Sequence, residues 1–195
     1  MMKQKNFLKI ALFMLLIFTI SSTMAQTTIF TESGGGAAPS GWTFNNQGGE
    51  DINKGSYWLV ETFANENIVT TTYDLSAYSS AELNLDVASY GSGNHNSALI
   101  EISYDNGLNY TQSATTVTTT SSSYITGGPI TLTGALTSQV AIRISNNGTL
   151  GRGVRLKNLE LIATPSNPTV TFDSATSTEI ETDATFTTSG IPITL

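Results

Sequence analysis

Hydrophobic and polar residues alternate with a period of two along most of this chain. In Ser97–Tyr110 (SALIEISYDNGLNY), Ala98, Ile100, Ile102 and Tyr104 fall on one face of an extended strand, and Ser97, Leu99, Glu101 and Ser103 on the other. Asp105-Asn106-Gly107 then supplies residues that tolerate the positive φ of a tight turn, so the pattern predicts a hairpin with Leu108–Gln112 running back. Leu83, Leu85 and Val87 alternate with Glu82, Asn84 and Asp86. Val140, Ile142 and Ile144 alternate with Ala141, Arg143 and Ser145, and Val154–Ala163 reads as a closing strand of the same kind.

Shorter strands are predicted at Gln26–Glu32, Ser56–Glu61, Asn67–Tyr73 and Pro129–Leu132. Gly-, Pro- and Asn-rich loops separate them, among them Ser33–Gly41 and Tyr90–Asn96. Thr111–Tyr124 is a Ser/Thr-rich run that reads as either a long edge strand or a loop. The sum is nine or ten short strands with no segment of helical period. The expected fold is all-β, an antiparallel jelly-roll-like sandwich over residues 26–163. Residues 164–168 (TPSNP) read as a linker, and 169–195 as the start of a second β-module too short to bury a core of its own.

Composition adds an address. Lys3, Lys5 and Lys9 precede the apolar run Ile10–Ile20, and Thr23-Met24-Ala25 supplies a small-residue cleavage site, so residues 1–25 read as a signal peptide. Its removal leaves five basic residues against fifteen acids, a net charge of −10. That surface repels nucleic acid and anionic membranes. The chain has no cysteine, which excludes disulfides and thiolate zinc sites. The expected product is secreted or held at the cell surface, with no membrane span in its mature part.

Candidate chemistry is sparse. Ser103-x-Asp105-x-Gly107-x-x-Tyr110 has the spacing of an Asp-box turn, which makes Asp105, Asn106 and Gly107 structural. His95 is the single histidine and sits in a Gly/Asn loop, which leaves Ser and Thr without a paired base. Oxygen-rich strand ends suit a structural calcium ion, with Glu32, Glu50 and Asp51 as candidate ligands. Trp42, Trp58, Tyr90 and Tyr110 are candidate sugar-stacking rings, and each could instead serve the core. Of the four, Tyr90 in its Gly-rich loop is the best candidate for exposure. Arg152, Arg155 and Lys157 make a small basic cluster, the last two on one strand face, and are expected to pair with carboxylates.

Phe30-Thr31-Glu32-Ser33, followed by Gly36 and Pro39-Ser40-Gly41-Trp42-Thr43, resembles the opening of choice-of-anchor J and cleaved-adhesin jelly-roll domains of secreted Bacteroidota proteins. The runs YDLSAYSSAELNLDVASYGSG, ALIEISYDNGLNY and GRGVRLKNLELIA look like the middle and closing strands of that group. The acidic stretch that often follows the Trp in those relatives is here Asn45–Asp51, and Lys157-Asn158 replaces a closing Asp. Both departures weaken a carried-over calcium site. Val170, Phe172, Ser177, Glu179 and the closing Ile193-Thr194-Leu195 resemble the start of a Calx-beta module. The resemblance implies a non-catalytic adhesion or binding module whose partner is a surface glycan or an extracellular protein. Two other roles fit the same residues: accessory domain of a larger secreted hydrolase, and structural stalk spacer.

Overall fold

In the computed structural model the chain is built from strands, described over residues 25–46, 51–61, 66–91, 97–147 and 153–167, with the backbone of two further strands at 185–188 and 191–194. Residues 1–24 of the expected leader, most of 169–195, and Glu50, His95 and Arg152 lie outside the described residues.

The strands are β1 (Thr27–Glu32), β2 (Thr43–Asn45), β3 (Trp58–Glu61), β4 (Asn67–Val69), β5 (Tyr78–Tyr90), β6 (Ala98–Ser103) and β7 (Tyr110–Thr115). They continue with β8 (Ile125–Thr126), β9 (Ile130–Thr131), β10 (Ala141–Asn146) and β11 (Gly153–Pro165). β12 (Thr185–Thr188) and β13 (Ile191–Thr194) form a separate hairpin. One sheet has six strands in the order β1-β11-β5-β8, with β3 also on β11 and β9 also on β5. The other has five, ordered β2-β4-β10-β6-β7. Every pairing is antiparallel, and the fold is the expected all-β sandwich.

The alternation explains the core. Leu83, Leu85 and Val87 of β5 meet Ile100 and Ile102 of β6 and Ile142 and Ile144 of β10 in one buried cluster. The closing strand does not alternate simply. Val154 and Leu156 face the core, and so do Leu159, Leu161 and Ala163. A bulge between Lys157 and Glu160 shifts the parity, with Asn158 at φ 50°. The extra residue lets both halves of β11 point inward.

The expected strand Asn67–Tyr73 stops at Val69, where Thr70 Oγ1 accepts the Ile142 amide at 3.0 Å. The Ser/Thr-rich run is strand through Thr115 and irregular beyond it, up to the short β8.

The Phe-Thr-Glu to Gly-Trp segment closes one end of the core. Phe30 packs edge-on against Trp42 and stacks on Tyr73, both at 5.2 Å, while Trp58 meets Trp42 at 5.6 Å and Phe44 at 5.3 Å. Each indole nitrogen has a partner, Tyr73 Oη for Trp42 and Gly36 O for Trp58. Gly34 sits at φ +71° directly on the β11 bulge. A Cβ there would lie 2.5 Å from Leu156 O and 2.6 Å from Lys157 Cα. Gly34→Ala is therefore expected to cost about 2 kcal/mol or more, combining left-handed strain with a backbone clash. Denaturant melts of the variant check this, and an unchanged midpoint would contradict it.

Candidate functional site

The tip of the β6–β7 hairpin is fixed by the Asp-box residues. Asp105 Oδ1 accepts hydrogen bonds from Ser103 Oγ at 2.7 Å and the Asn109 amide at 2.8 Å, and Oδ2 accepts from Asn109 Nδ2 at 2.7 Å. Ser103 Oγ in turn accepts the Gly107 amide at 2.8 Å. Asn106 and Gly107 take φ of 63° and 77°. Asn106 also ties the tip to its surroundings, donating its amide to Gln139 O and accepting from Thr72 Oγ1.

The Asn109 side chain and amide, then the Ser103 hydroxyl, hold the Asp105 carboxyl below the ordinary Asp value. A depressed folded-state pKa contributes stability above the unfolded value of about 3.9 that is lost as pH falls through the folded value. Asp105→Asn is expected to flatten the stability loss below about pH 4. Melts from pH 5 to pH 2 check it, and an acid limb identical to the parent's would contradict it.

This turn sets the start of β7, and with it Tyr110, over the outer face of the five-stranded sheet. Arg143 lies directly opposite Glu101 in the β10–β6 ladder. Its Nε and Nη2 donate to Glu101 Oε2 and Oε1 at 2.7 and 2.8 Å, a bidentate pair. The guanidinium carbon lies 3.9 Å from the Tyr110 ring centroid. Glu101 raises the Arg143 pKa above its usual value. The two side chains remain 33% and 21% exposed, so the pair is accessible from solvent. A half-buried ring from the edge strand thus stands together with a planar cation and a carboxylate from the two strands beside it on one sheet face. Two of the guanidinium's five N–H groups are used by the two bonds to Glu101, which leaves three for a ligand's oxygens.

A polar cleft of about 290 Å³ adjoins this group, lined by Glu61, Glu66, Asn67, Glu101, Arg143, Ser145 and Asn146. Glu66 is 2% exposed. Its Oε1 accepts the Glu61 amide at 3.1 Å, and its buried Oε2 has no hydrogen-bond partner. An orphaned acceptor of this kind costs about 1–3 kcal/mol. Burial pushes the Glu66 carboxyl above the ordinary Glu value; the Glu61 amide opposes this and the Glu61 charge adds to it.

The other expected site residues are dispersed. Trp58 is fully buried and Trp42 is 8% exposed, so both belong to the aromatic core and neither offers a ring face to a ligand. Tyr90 is not in a loop. It is the half-buried last residue of β5, opposite Gly153, with the parity of Ala88, on the other sheet from Tyr110. Glu32 is half-buried at the end of β1 and Asp51 is exposed, its Oδ1 accepting the Asn53 amide at 3.2 Å. Among the described residues no three His, Cys, Asp or Glu side chains gather as a metal-ligating group.

Arg155 does not pair with a carboxylate among the described residues. It donates to Ser89 O and Ser122 O, with Tyr57 and Tyr124 rings each 5.5 Å away. The reason lies in the ladder. Its partners Ala88 and Leu59 are apolar, so the nearest acceptors are backbone carbonyls. Lys157 likewise packs on Tyr124, at 5.2 Å. Sequence reasoning missed Arg143 and Glu101 as a unit and missed Glu66. The one available signal for the pair was the placement of Arg143 and Glu101 on the outward parity of two apolar-alternating strands.

No protein-family model matches the chain, and no curated protein matches it. Among solved structures, the chain is similar to the CBM22-1 xylan-binding domain from Paenibacillus barcinonensis Xyn10C. The TM-score is 0.52 at 12% identity, over 75% of this chain and 100% of that domain. The likeness is one of fold: both are antiparallel β-sandwiches of the jelly-roll type.

Proposed function

We propose that residues 26–163 form a non-catalytic binding module that takes a neutral polysaccharide on the outer face of the five-stranded sheet. The observation that carries this is the Tyr110–Arg143–Glu101 group on that face. A flat ring covers the C–H face of a sugar, and a guanidinium–carboxylate fork beside it offers donors and acceptors to adjacent hydroxyls. The xylan-binding domain of like fold supports the same reading. The acidic balance favours neutral chains over uronate polymers.

In this proposal residues 1–25 are a leader removed on export, 169–195 begin a second module, and the jelly-roll anchors a secreted adhesin or enzyme to its glycan. Affinity electrophoresis tests it, with the chain from Gln26 run through gels containing xylan, glucomannan, mixed-linkage glucan or polygalacturonate. Retardation is expected in at least one neutral gel and not in polygalacturonate. Free migration in every neutral gel would contradict the proposal.

A further inference from the structure

The polar cleft begins where the Tyr110–Arg143–Glu101 group ends. The strand order is β4-β10-β6-β7, with Tyr110 on β7, Glu101 on β6 and Arg143 on β10. Asn67 at the head of β4, Glu66 just before it and Glu61 at the end of β3 wall the cleft on the side away from Tyr110. A glycan chain laid from Tyr110 across Arg143 therefore runs into a wall. The lining divides into that wall and a few open contacts. Glu61, Asn67 and Asn146 already have partners, and Asn67 Oδ1 accepts from Asn45 Nδ2 at 2.8 Å. Glu66 Oε2 and Asn146 Oδ1 are enclosed. The open groups are the partly exposed Arg143 and Glu101 and the half-buried Ser145, whose hydroxyl has no partner among the described residues. Arg143 keeps three N–H groups, each Glu101 oxygen keeps a second lone pair, and Ser145 both donates and accepts. Such a set suits the adjacent hydroxyls of one sugar ring.

We propose that this cleft is a pocket for one neutral terminal sugar residue, either the end of a glycan chain or a one-sugar branch on it. The proposal rests on the glycan reading of the same face. Size supports it: a volume of about 290 Å³ lies at the lower limit of ligand pockets and holds a single monosaccharide. Charge sets the kind of sugar. Glu61, Glu66 and Glu101 line the cleft with Arg143, and Lys54 also acts on Glu66, so three acids stand against two bases and a uronate is repelled. The hydroxyls of a neutral ring bring donors to Glu101 and acceptors to Arg143, and Ser145 answers either. Tyr110 then carries a neighbouring residue of the chain, with Arg143 between the two positions. A face built in this way selects chain ends or branches over the uninterrupted run of a linear polymer.

Affinity electrophoresis of the full chain in two matched pairs of polymers, linear mannan with galactomannan and unsubstituted xylan with arabinoxylan, tests this. For a backbone that binds, a branch reader is expected to be retarded at about tenfold lower concentration of the substituted member, the worth of the added hydrogen bonds. Calorimetry with linear chains of two lengths identifies the other source: sites per gram that rise in proportion to chain ends assign the pocket to the chain end. Equal retardation within a pair, with sites per gram independent of chain length, would overturn the proposal and leave the glycan reading in place. Free migration in all four gels would be the failure of that reading itself. Ser145→Leu fills the cleft from the sheet face and is expected to abolish the advantage of branched or shorter chains. Should that variant fail to fold, Ser145→Ala serves instead, with the advantage expected to fall about threefold. An undiminished advantage in the variant that folds would place the terminal sugar elsewhere and overturn the proposal.

Discussion

Trp58→Ala is expected to destabilise the sandwich by about 3–5 kcal/mol, the range for deleting a fully buried aromatic. Against a typical domain stability of 5–15 kcal/mol, that loss is enough to unfold a marginal protein. Trp58 is 0% exposed, meets Trp42 and Phe44, and its indole nitrogen donates to Gly36 O at 3.1 Å. Alanine leaves a large cavity between the two sheets and strips the Gly36 carbonyl of its donor. Trp58 also heads β3, which pairs with β11 from Trp58↔Leu156 to Glu61↔Gly153, so the loss propagates into the longest ladder of the fold. Urea melts followed by tryptophan fluorescence of the remaining Trp42 check it. A midpoint within 1 kcal/mol of the parent's would contradict the placement of Trp58 in the core.

Tyr110→Ala makes the opposite kind of prediction, with a large effect on binding and a small one on stability. Tyr110 is half-buried at the start of a sheet-edge strand, and its ring is held over the sheet by Arg143 at 3.9 Å. Exposed cation–π contacts contribute about 0.5–1 kcal/mol, so the fold loses little. For a ligand on that face the ring is the aromatic anchor, and removal of such an anchor costs about 2 kcal/mol or more, near 30-fold in affinity. Arg143→Ala is expected to act in the same direction, because it leaves Glu101 without its bidentate partner and presents an uncompensated carboxylate to the sugar. Parallel calorimetry and melting curves separate the two effects. An unchanged affinity in Tyr110→Ala would remove that ring from the site.

The strands and their inward faces were legible because alternation is a local signal. Leu83-x-Leu85-x-Val87 and Ile142-x-Ile144 point inward as their spacing demands. The Asp105-Asn106-Gly107 turn was legible for the same reason, since its hydrogen bonds close within seven residues, Ser103 to Asn109. What the sequence concealed was non-local. The bulge at Lys157–Glu160 reverses parity inside what reads as one alternating run. Trp42 and Trp58 turn inward because Phe30, Phe44 and Tyr73, far apart in the chain, converge on them. Arg143 and Glu101 are 42 residues apart and become a pair only once β10 lies beside β6. Tyr90 reads as a loop residue next to Gly91, yet β5 extends through it because Gly153 supplies a partner on β11.

The most direct test of the binding face is a ¹⁵N–¹H NMR titration of the chain with the neutral oligosaccharide that retards it most. Amide shifts are expected to cluster on Glu101, Tyr110, Arg143 and Ser145, with the amides of Ala88, Tyr90 and Arg155 on the opposite sheet unmoved. Shifts confined to the six-stranded sheet, or none with any neutral oligosaccharide, would contradict the account.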